Sequence, residues 1–362
     1  VKSIQAARAV EAIDILATKA ASTQMVVEDI VHRVVDVLEV EAFFVGATDP
    51  NSGLCLGAGM VYNMSPEICH PFWEHEFLVP DFNKFIDLSP TRPVADLREA
   101  TGGKLSRSPR YRALNQISDL EDELRAVLHS GACTWGILQL NRKQGGRPFD
   151  AVERRFLSDV AAVAGKALRR ALLTESAGPI AQRATGTLIL GPEGNVVDAT
   201  QEAQEWLEDV AAGWRIYDDS LLHPELLNLA LAVSGKRQTP LRATLRTIGG
   251  MWLSVQASAL SESDNVAVIV QPAKASEILP LLLKAYGLTK REAEIAQLIS
   301  RGLATQEIAE RLFLSRHTVR DHVKVIFEKV QVTSRGELTS KLFFEQNFPE
   351  LEKAVLESFN RL

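Results

Sequence analysis

Arg316, His317, Arg320, Asp321 and Lys324 follow one another at steps of one, three, one and three residues. On an α-helix that spacing gathers them on one side. Val319, Val323, Ile326 and Val330, at steps of four, three and four, make the opposite stripe, which faces a core. Cations and a carboxylate on one helical face can meet phosphate oxygens and base edges in the major groove of a duplex.

Such a helix must be held at an angle by others, and the preceding residues punctuate accordingly. Thr289 is placed to cap a first helix, with Glu292 completing a capping box. Ala293, Ile295, Ala296 and Ile299 form its apolar stripe, and Gly302 suits the left-handed position that ends a helix. Thr305 is read as the cap of a second helix, Gln306 to Leu312, which buries Ile308, Ala309 and Leu312. Phe313 and Leu314 make the turn, and Ser315 caps the third helix. Residues 288–341 carry 10 Lys+Arg and 7 Asp+Glu, a net of +3. The whole chain has a net charge of −6, which leaves −9 on the remainder. A basic module on an acidic body is the asymmetry expected when only the module meets phosphate.

This segment resembles the LuxR/GerE-type helix-turn-helix. The resemblance runs over Leu288, Thr289, Arg291, Glu292, Glu294, Gly302, Glu307, Ile308, Ala309, Leu312, Leu314, Ser315, Thr318, Val319, Arg320, His322, Val323, Ile326, Lys329, Val332, Arg335, Glu337 and Leu338. It implies that Arg320, Asp321 and Lys324 read base edges. It also implies that Thr305, Gln306, Ser315, Thr318 and Lys329 meet the phosphate backbone. A fourth helix, Arg335 to Phe344, would be a dimer contact. Three positions depart from the pattern: Asp321 puts an acid among the readers, Ala296 stands where Leu is usual, and Val330 replaces a Leu. The acid can accept from a cytosine amino group, or pair with Arg316, Arg320 or Lys324 and aim it.

The other 280-odd residues point to control modules. A chain of 362 residues suggests two or three domains. Its hydrophobic fraction is 46% and no apolar run reaches membrane-spanning length, so a soluble, cytoplasmic protein without a membrane partner is expected. Residues 1–20 lack a secretory core. Cys55, Cys69 and Cys133 are an odd number without metal spacing, which favours reduced thiols. Cys69, His70 and His75 have no recognised ligand spacing, so neither a metal nor a cofactor is expected.

In the first domain, residues 1–174, a helix is expected at Val26 to Val40 and a strand hairpin at Ala42 to Gly46 and Leu54 to Val61. An irregular stretch follows from Asn63 to Arg112. Glu121 to Leu128 reads as helical, Gly131 to Asn141 as a buried strand, and Asp150 caps a long helix with Glu153 in the box position. The apolar stripe of that helix is Val152, Phe156, Val160, Val163, Ala167 and Ala171. Strand hairpin, irregular middle, strand and closing helix resemble a GAF domain, most clearly from Ala132 to Leu172. Such domains bind small molecules between the sheet and the irregular middle, so Phe72, Trp73, Phe77, Phe82 and Trp135 are the candidate effector pocket. The competing reading is that these aromatics simply fill a core.

Residues 178–272 read as two short strands around Pro192 to Asn195, a helix capped by Thr200 and a helix from Leu221 to Val233. Three strands follow: Leu241 to Thr247, Trp252 to Ala259 and Val266 to Gln271. That order resembles a PAS domain. Residues 273–287 form a linker helix around Pro280, residues 288–345 the helix-turn-helix domain, and residues 346–362 a C-terminal amphipathic helix. The fold class is therefore α+β and multidomain: two antiparallel-sheet domains, then an all-α four-helix domain.

No phosphate loop, nucleophile elbow or helical His-Glu zinc pair is present, so no enzyme is expected. The sequence points to a regulator that binds double-stranded DNA as a homodimer, with a small-molecule effector in the GAF-like domain. The alternative is that both front domains are ligand-free scaffolds for dimerisation or protein interaction.

Overall fold

A computed structural model describes residues 3–19, 21–174, 184–192, 194–211, 214–216, 227, 231, 233, 241–247, 249–261 and 263–344. The chain divides into two units, one holding both sheets and one holding the helices from residue 273 onward.

The first unit opens with α1 (Ser3–Leu16) and α2 (Thr23–Val35). Strands β1 (Ala42–Thr48) and β2 (Cys55–Tyr62) make the expected antiparallel hairpin. The stretch read as irregular contains α3 (Cys69–Phe77), β3 (Val94–Asp96), α4 (Leu97–Ala100) and α5 (Pro109–Leu114). Then come β4 (Leu120–Ser130), β5 (Cys133–Lys143) and the long α6 (Ala151–Thr174). A second group follows: β6 (Gly186–Leu190), β7 (Val196–Ala199), α7 (Gln201–Ala211), β8 (Trp214–Ile216), β9 (Leu241–Arg246), β10 (Trp252–Ala259) and β11 (Val266–Pro272). The helix expected at Leu221 to Val233 lies outside the described residues, except for Leu227, Leu231 and Val233.

The first sheet runs β3-β4-β5-β1-β2-β8, and the second β7-β6-β11-β10-β9. Pairing is antiparallel throughout, except where β8 adds to β2 in parallel, Gly59 opposite Trp214. A strand from the second group thus extends the first sheet. The sheets meet where Gly57, at φ +89°, faces Arg246; an ideal Cβ there would stand 2.5 Å from the Arg246 carbonyl oxygen, so only glycine fits.

Glu121 to Leu128, expected as helix, lies within β4. Its buried face and its polar face are both covered, so Glu123, Leu124, Arg125 and Ala126 are all buried. Burial on both sides erased the period-two signal, and the run of carboxylates imitated the wet side of a helix. On one side, α6 packs against β4 and β5, and α1 and α2 pack against α6. Phe156, Val160, Ala167 and Ala171 are buried as expected. Burial of a side chain the size of Phe156 contributes about 1.5–3 kcal/mol. Val152 is 59% exposed and does not join the stripe. Glu153 goes inward instead, pairing with Arg142 at 2.9 Å while its other oxygen accepts from the Asp150 amide at 3.0 Å.

The second unit has α8 (Ala275–Ala285), α9 (Lys290–Ser300), α10 (Thr305–Leu312), α11 (Arg316–Val330) and α12 (Arg335–Thr339), the last continuing as a π-helical turn over residues 340–344. Pro280 sits inside α8, as the sequence suggested. The core joins Ile295 and Ile299 of α9, Ile308 of α10, Val319, Ile326 and Val330 of α11, and Leu338 of α12. The C-terminal helix expected at 346–362 lies outside the described residues.

Candidate nucleic-acid interface and aromatic core

The α11 helix is positioned by local capping and by one charged clamp to α9, and two further clamps hold α10 to α9 and to α12. The Thr289 hydroxyl accepts from the Glu292 amide at 3.3 Å, and the Glu292 carboxylate accepts from the Thr289 amide at 2.8 Å, closing the expected box. Gly302 has φ +86°. Ser315 caps α11 by accepting from the Thr318 amide at 3.0 Å. The start of α10 differs from expectation: Ala304 is the N-cap, and the Glu307 carboxylate accepts from its amide at 2.6 Å. The Glu307 carboxylate thus satisfies the N-cap amide, the reciprocal half of a capping box, with no N-cap hydroxyl facing it.

Thr305 is therefore the first helical residue, and its hydroxyl accepts from Arg335 Nη2 at 2.8 Å. Arg335 Nη1 donates to the Leu303 carbonyl at 2.7 Å, fixing α12 to the head of α10. Arg291 reaches the Leu312 carbonyl at 3.0 Å and ties α9 to the tail of α10. Lys329 donates to Glu292 Oε2 at 2.6 Å and ties α11 to α9. Burial pushes the Glu292 carboxyl up, but Lys329 and the Thr289 amide more than offset it, so it lies below the usual carboxylate range.

Arg316, His317, Arg320, Asp321 and Lys324 all lie exposed on α11, with Thr318 half-buried at its first turn. His317 Nδ1 stands 3.1 Å from Asp321 Oδ2, one turn apart. Arg316 donates to the Gln306 side chain, bridging α10 and α11. Asp321 thus pairs with histidine, whereas the sequence had suggested Arg316, Arg320 or Lys324. The structure brings Gln306 and the α11 residues onto one face, and leaves Thr305 and Lys329 occupied in clamps. Sequence reasoning missed these clamps, although Arg291, Glu292 and Arg335 all stand at positions of the resemblance. Phe313, the α10 C-cap, has φ 55° and is 94% exposed in the turn before α11.

The aromatic candidates separate. Phe72, Trp73 and Phe77 belong to one cluster with Phe44 and Phe85. Phe72 and Trp73 meet edge to face at 4.8 Å, and Trp73 and Phe77 stack at 5.9 Å. Phe82 lies apart, half-buried, beneath the Arg107 guanidinium at 5.5 Å. Trp135 is buried on β5 outside this cluster, two residues from Ile137, which is in it. Leu227 and Leu231 are buried in the same cluster, so side chains of the chain itself occupy the centre. A cavity bordered by Ile68, Leu114, Glu123 and Gln139 has about 20 Å³, room for one water.

Beside the aromatics lies a buried ionic group. Arg110 pairs with Glu123 through two bonds, at 2.6 and 3.1 Å. Arg125 donates to Glu76 at 2.8 Å and to the Gln139 side chain at 2.8 Å. Burial pushes the Glu123 carboxyl up, but the two arginines hold it below the usual range. Burial and the neighbouring Arg110 lower Arg125. Cys69 is pushed up to about 11 by burial, so its thiol is a weak source of thiolate. His75 Nδ1 is 2.7 Å from the Pro71 carbonyl oxygen. Among the described residues, no group of three His, Cys, Asp or Glu is placed to hold a metal, and no helix is long and apolar enough to cross a membrane.

Comparison with known proteins places similarity at the C-terminal end. Residues 287–342 match the family model of bacterial regulatory proteins of the luxR family. Spore germination protein GerE of Bacillus subtilis is 40% identical over 55 residues, covering 15% of this chain and 74% of that protein. The nitrate/nitrite response regulator protein homolog of Haemophilus influenzae is 43% identical over 60 residues, 17% of this chain and 28% of the relative. The crystal structure of the GAF domain from Acinetobacter phosphoenolpyruvate-protein phosphotransferase is 14% identical and covers 47% of this chain and 96% of that domain, with a TM-score of 0.33.

Proposed function

The chain belongs to the luxR family of bacterial regulatory proteins through residues 287–342, and from that premise we propose that it is a cytoplasmic transcription regulator binding double-stranded DNA as a homodimer. The observation that carries the reading is the α11 face: Arg316, His317, Arg320, Asp321 and Lys324 stand exposed together while the Lys329–Glu292 pair ties the helix to α9 behind them. In this reading α11 enters the major groove, with Arg320, Asp321 and Lys324 toward base edges. Ser315, Thr318 and Gln306 meet phosphates at its start. The His317–Asp321 pair orients the carboxylate toward a cytosine amino group or, when exchanged for a cation, toward its neighbour. Thr305 and Lys329 act as framework. The helix at 335–344 pairs with its mate.

Control comes from the front domains. A small effector in the GAF-like domain would favour one dimer geometry over another, and it must bind one geometry better to shift the balance. A second reading is that the GAF-like and PAS-like domains are ligand-free scaffolds; Leu227 and Leu231 within the aromatic cluster favour it. Two measurements test these readings. Duplexes selected from a random pool should bind the full chain with a salt slope of about −0.9 per phosphate neutralised, and Arg320→Ala or Lys324→Ala should weaken binding by about 1–3 kcal/mol. Unchanged affinity and slope in both variants would sink the interface. A ligand at a hundred times its Kd should add about 2.7 kcal/mol to stability, and a metabolite panel that shifts no melting temperature favours scaffolds.

A further inference from the structure

One face of the first sheet combines an apolar floor with buried donors that have nothing to bond. Arg125, Val127, Ile137 and Gln139 share it, since β4 and β5 pair Arg125 with Gln139 and Val127 with Ile137. Trp135 falls at the register shift between the Leu128–Gly136 and His129–Thr134 pairs, so alternation does not assign it to this face. The Arg125 guanidinium sits 4.5 Å over the Phe85 ring and 5.2 Å over the Phe72 ring, both members of the aromatic cluster. Its side chain is 0% exposed, yet Nη2 has no hydrogen-bond partner. Asn83, whose carbonyl accepts from Arg125 Nη1 at 3.2 Å, also leaves its Nδ2 unpartnered, and so does Trp135 its Nε1. Buried donors are almost always satisfied, and the Arg125 and Asn83 donors, on residues joined through the Asn83 carbonyl, mark a place where an acceptor is missing.

Charge decides which acceptor. Arg110 and Arg125 face Glu76, Asp81 and Glu123, so the group already carries one negative charge in excess. An added anion would meet net repulsion in a region of low dielectric, whereas an uncharged carbonyl takes the free N–H groups without that cost. Leu227 and Leu231, four residues apart, fill the apolar space against the aromatics. Leu227 also reaches the second sheet, for an ideal Cβ on Gly194 would stand 2.4 Å from its Cδ1.

We propose that this face is a binding site for an uncharged small molecule with an apolar body and an acceptor oxygen, and that Leu227 and Leu231 occupy the place of that body until the ligand displaces them. The inference rests on the effector reading above and gives it a ligand class. Displacing Leu227 would withdraw a contact shared by the aromatic cluster and the β6–β7 turn, which offers the effector a route from the first sheet to the second.

The test uses the full-length chain with Leu227→Ala and Leu231→Ala together, and three probes of one shape: 4-methylpentanamide, 4-methylpentanoate and 2-methylpentane. Tryptophan fluorescence reports occupancy, since Trp73 lies in the cluster. The amide should bind the double variant saturably, at least tenfold more tightly than the unaltered chain, and at least tenfold more tightly than either other probe. Absence of saturable amide binding overturns the proposal. So does hydrocarbon binding as tight as the amide, which would mean the donors are idle, and so does carboxylate binding as tight. If the double variant does not fold, Leu231→Ala alone carries the same titration with the same criteria. A DNA titration of the same samples separates the two levels: lost amide binding with intact DNA binding refutes the site alone, whereas an unaltered chain that binds no DNA refutes the regulator reading.

Discussion

Replacing Lys329 by alanine should loosen the helix-turn-helix frame and leave DNA electrostatics nearly untouched. Lys329 Nζ lies 2.6 Å from Glu292 Oε2, with side-chain exposures of 32% and 8%. A fully buried pair broken on one side costs about 3–5 kcal/mol, and an exposed one about 0–1 kcal/mol. The lysine is partly wet, and Glu292 keeps the Thr289 amide, so the expected loss is about 1–2 kcal/mol. Hydrogen exchange of the α9 and α11 amides in the full chain would read this as about a tenfold rise in opening. The pH dependence follows in sign. Glu292 is held below the ordinary glutamate value, so its contribution is complete above that value and fades as pH falls through the lowered one. Lys329→Ala should therefore cost most at neutral pH and converge with the parent in acid. For DNA binding, Lys329→Ala should leave the salt slope unchanged, since Glu292 rather than phosphate holds the lysine. A Lys329→Ala protein with unchanged exchange and a slope reduced by about 0.9 would refute the reasoning, because the lysine would then leave Glu292 for phosphate.

Two further substitutions probe the two units separately. An ideal Cβ on Gly165 of α6 would stand 2.2 Å from the His129 backbone, so Gly165→Ala must push the helix off β4; a loss of about 1–3 kcal/mol or more is expected in the denaturant midpoint, and a neutral result would refute that close approach. Phe313→Gly should stabilise the second unit by up to about 1 kcal/mol, since Phe313 occupies the left-handed region with its ring in solvent. A destabilised variant, measured by exchange at α10 and α11, would show that the ring has a contact to lose.

What was legible in the sequence was mostly what has a cause within four residues. The Thr289–Glu292 box, the Ser315 cap, Gly302 and the Asp150–Glu153 box are satisfied by neighbours in the chain, and all four stand as read. Where two local solutions compete, the reading failed: Thr305 had the right type for a cap, but the N-cap lies one residue earlier, at Ala304, whose amide Glu307 holds, and the Thr305 hydroxyl accepts from Arg335. The strand β4 failed for a different reason. Its charges are buried, and a charge is read as wet unless its partner is visible. Arg125 finds Glu76 at 49 residues' distance and Gln139 at 14, and nothing local announces either.

The same limit separates the two candidate sites. The α11 face was legible because a groove-reading surface is one helix long, and its chemistry lies in one stretch of sequence. The aromatic core was only half legible. Phe72, Trp73 and Phe77 fall in one short helix and came together, whereas Trp135 is buried on β5 outside their cluster and Phe82 went elsewhere. Leu227 and Leu231 carried no signal at all, because a leucine pair four residues apart is the ordinary inner face of any helix. Their destination, an aromatic wall with unbonded arginine and asparagine donors beside it, exists only once both sheets are in place. A cluster built by β1, β2, α3, β3, β4 and β5 together with Leu227 and Leu231 cannot be specified by any one of them. If it recognises a ligand, its selectivity lies in the register of β4 against β5, which sets Arg125 beside Gln139 with its guanidinium over the Phe85 ring.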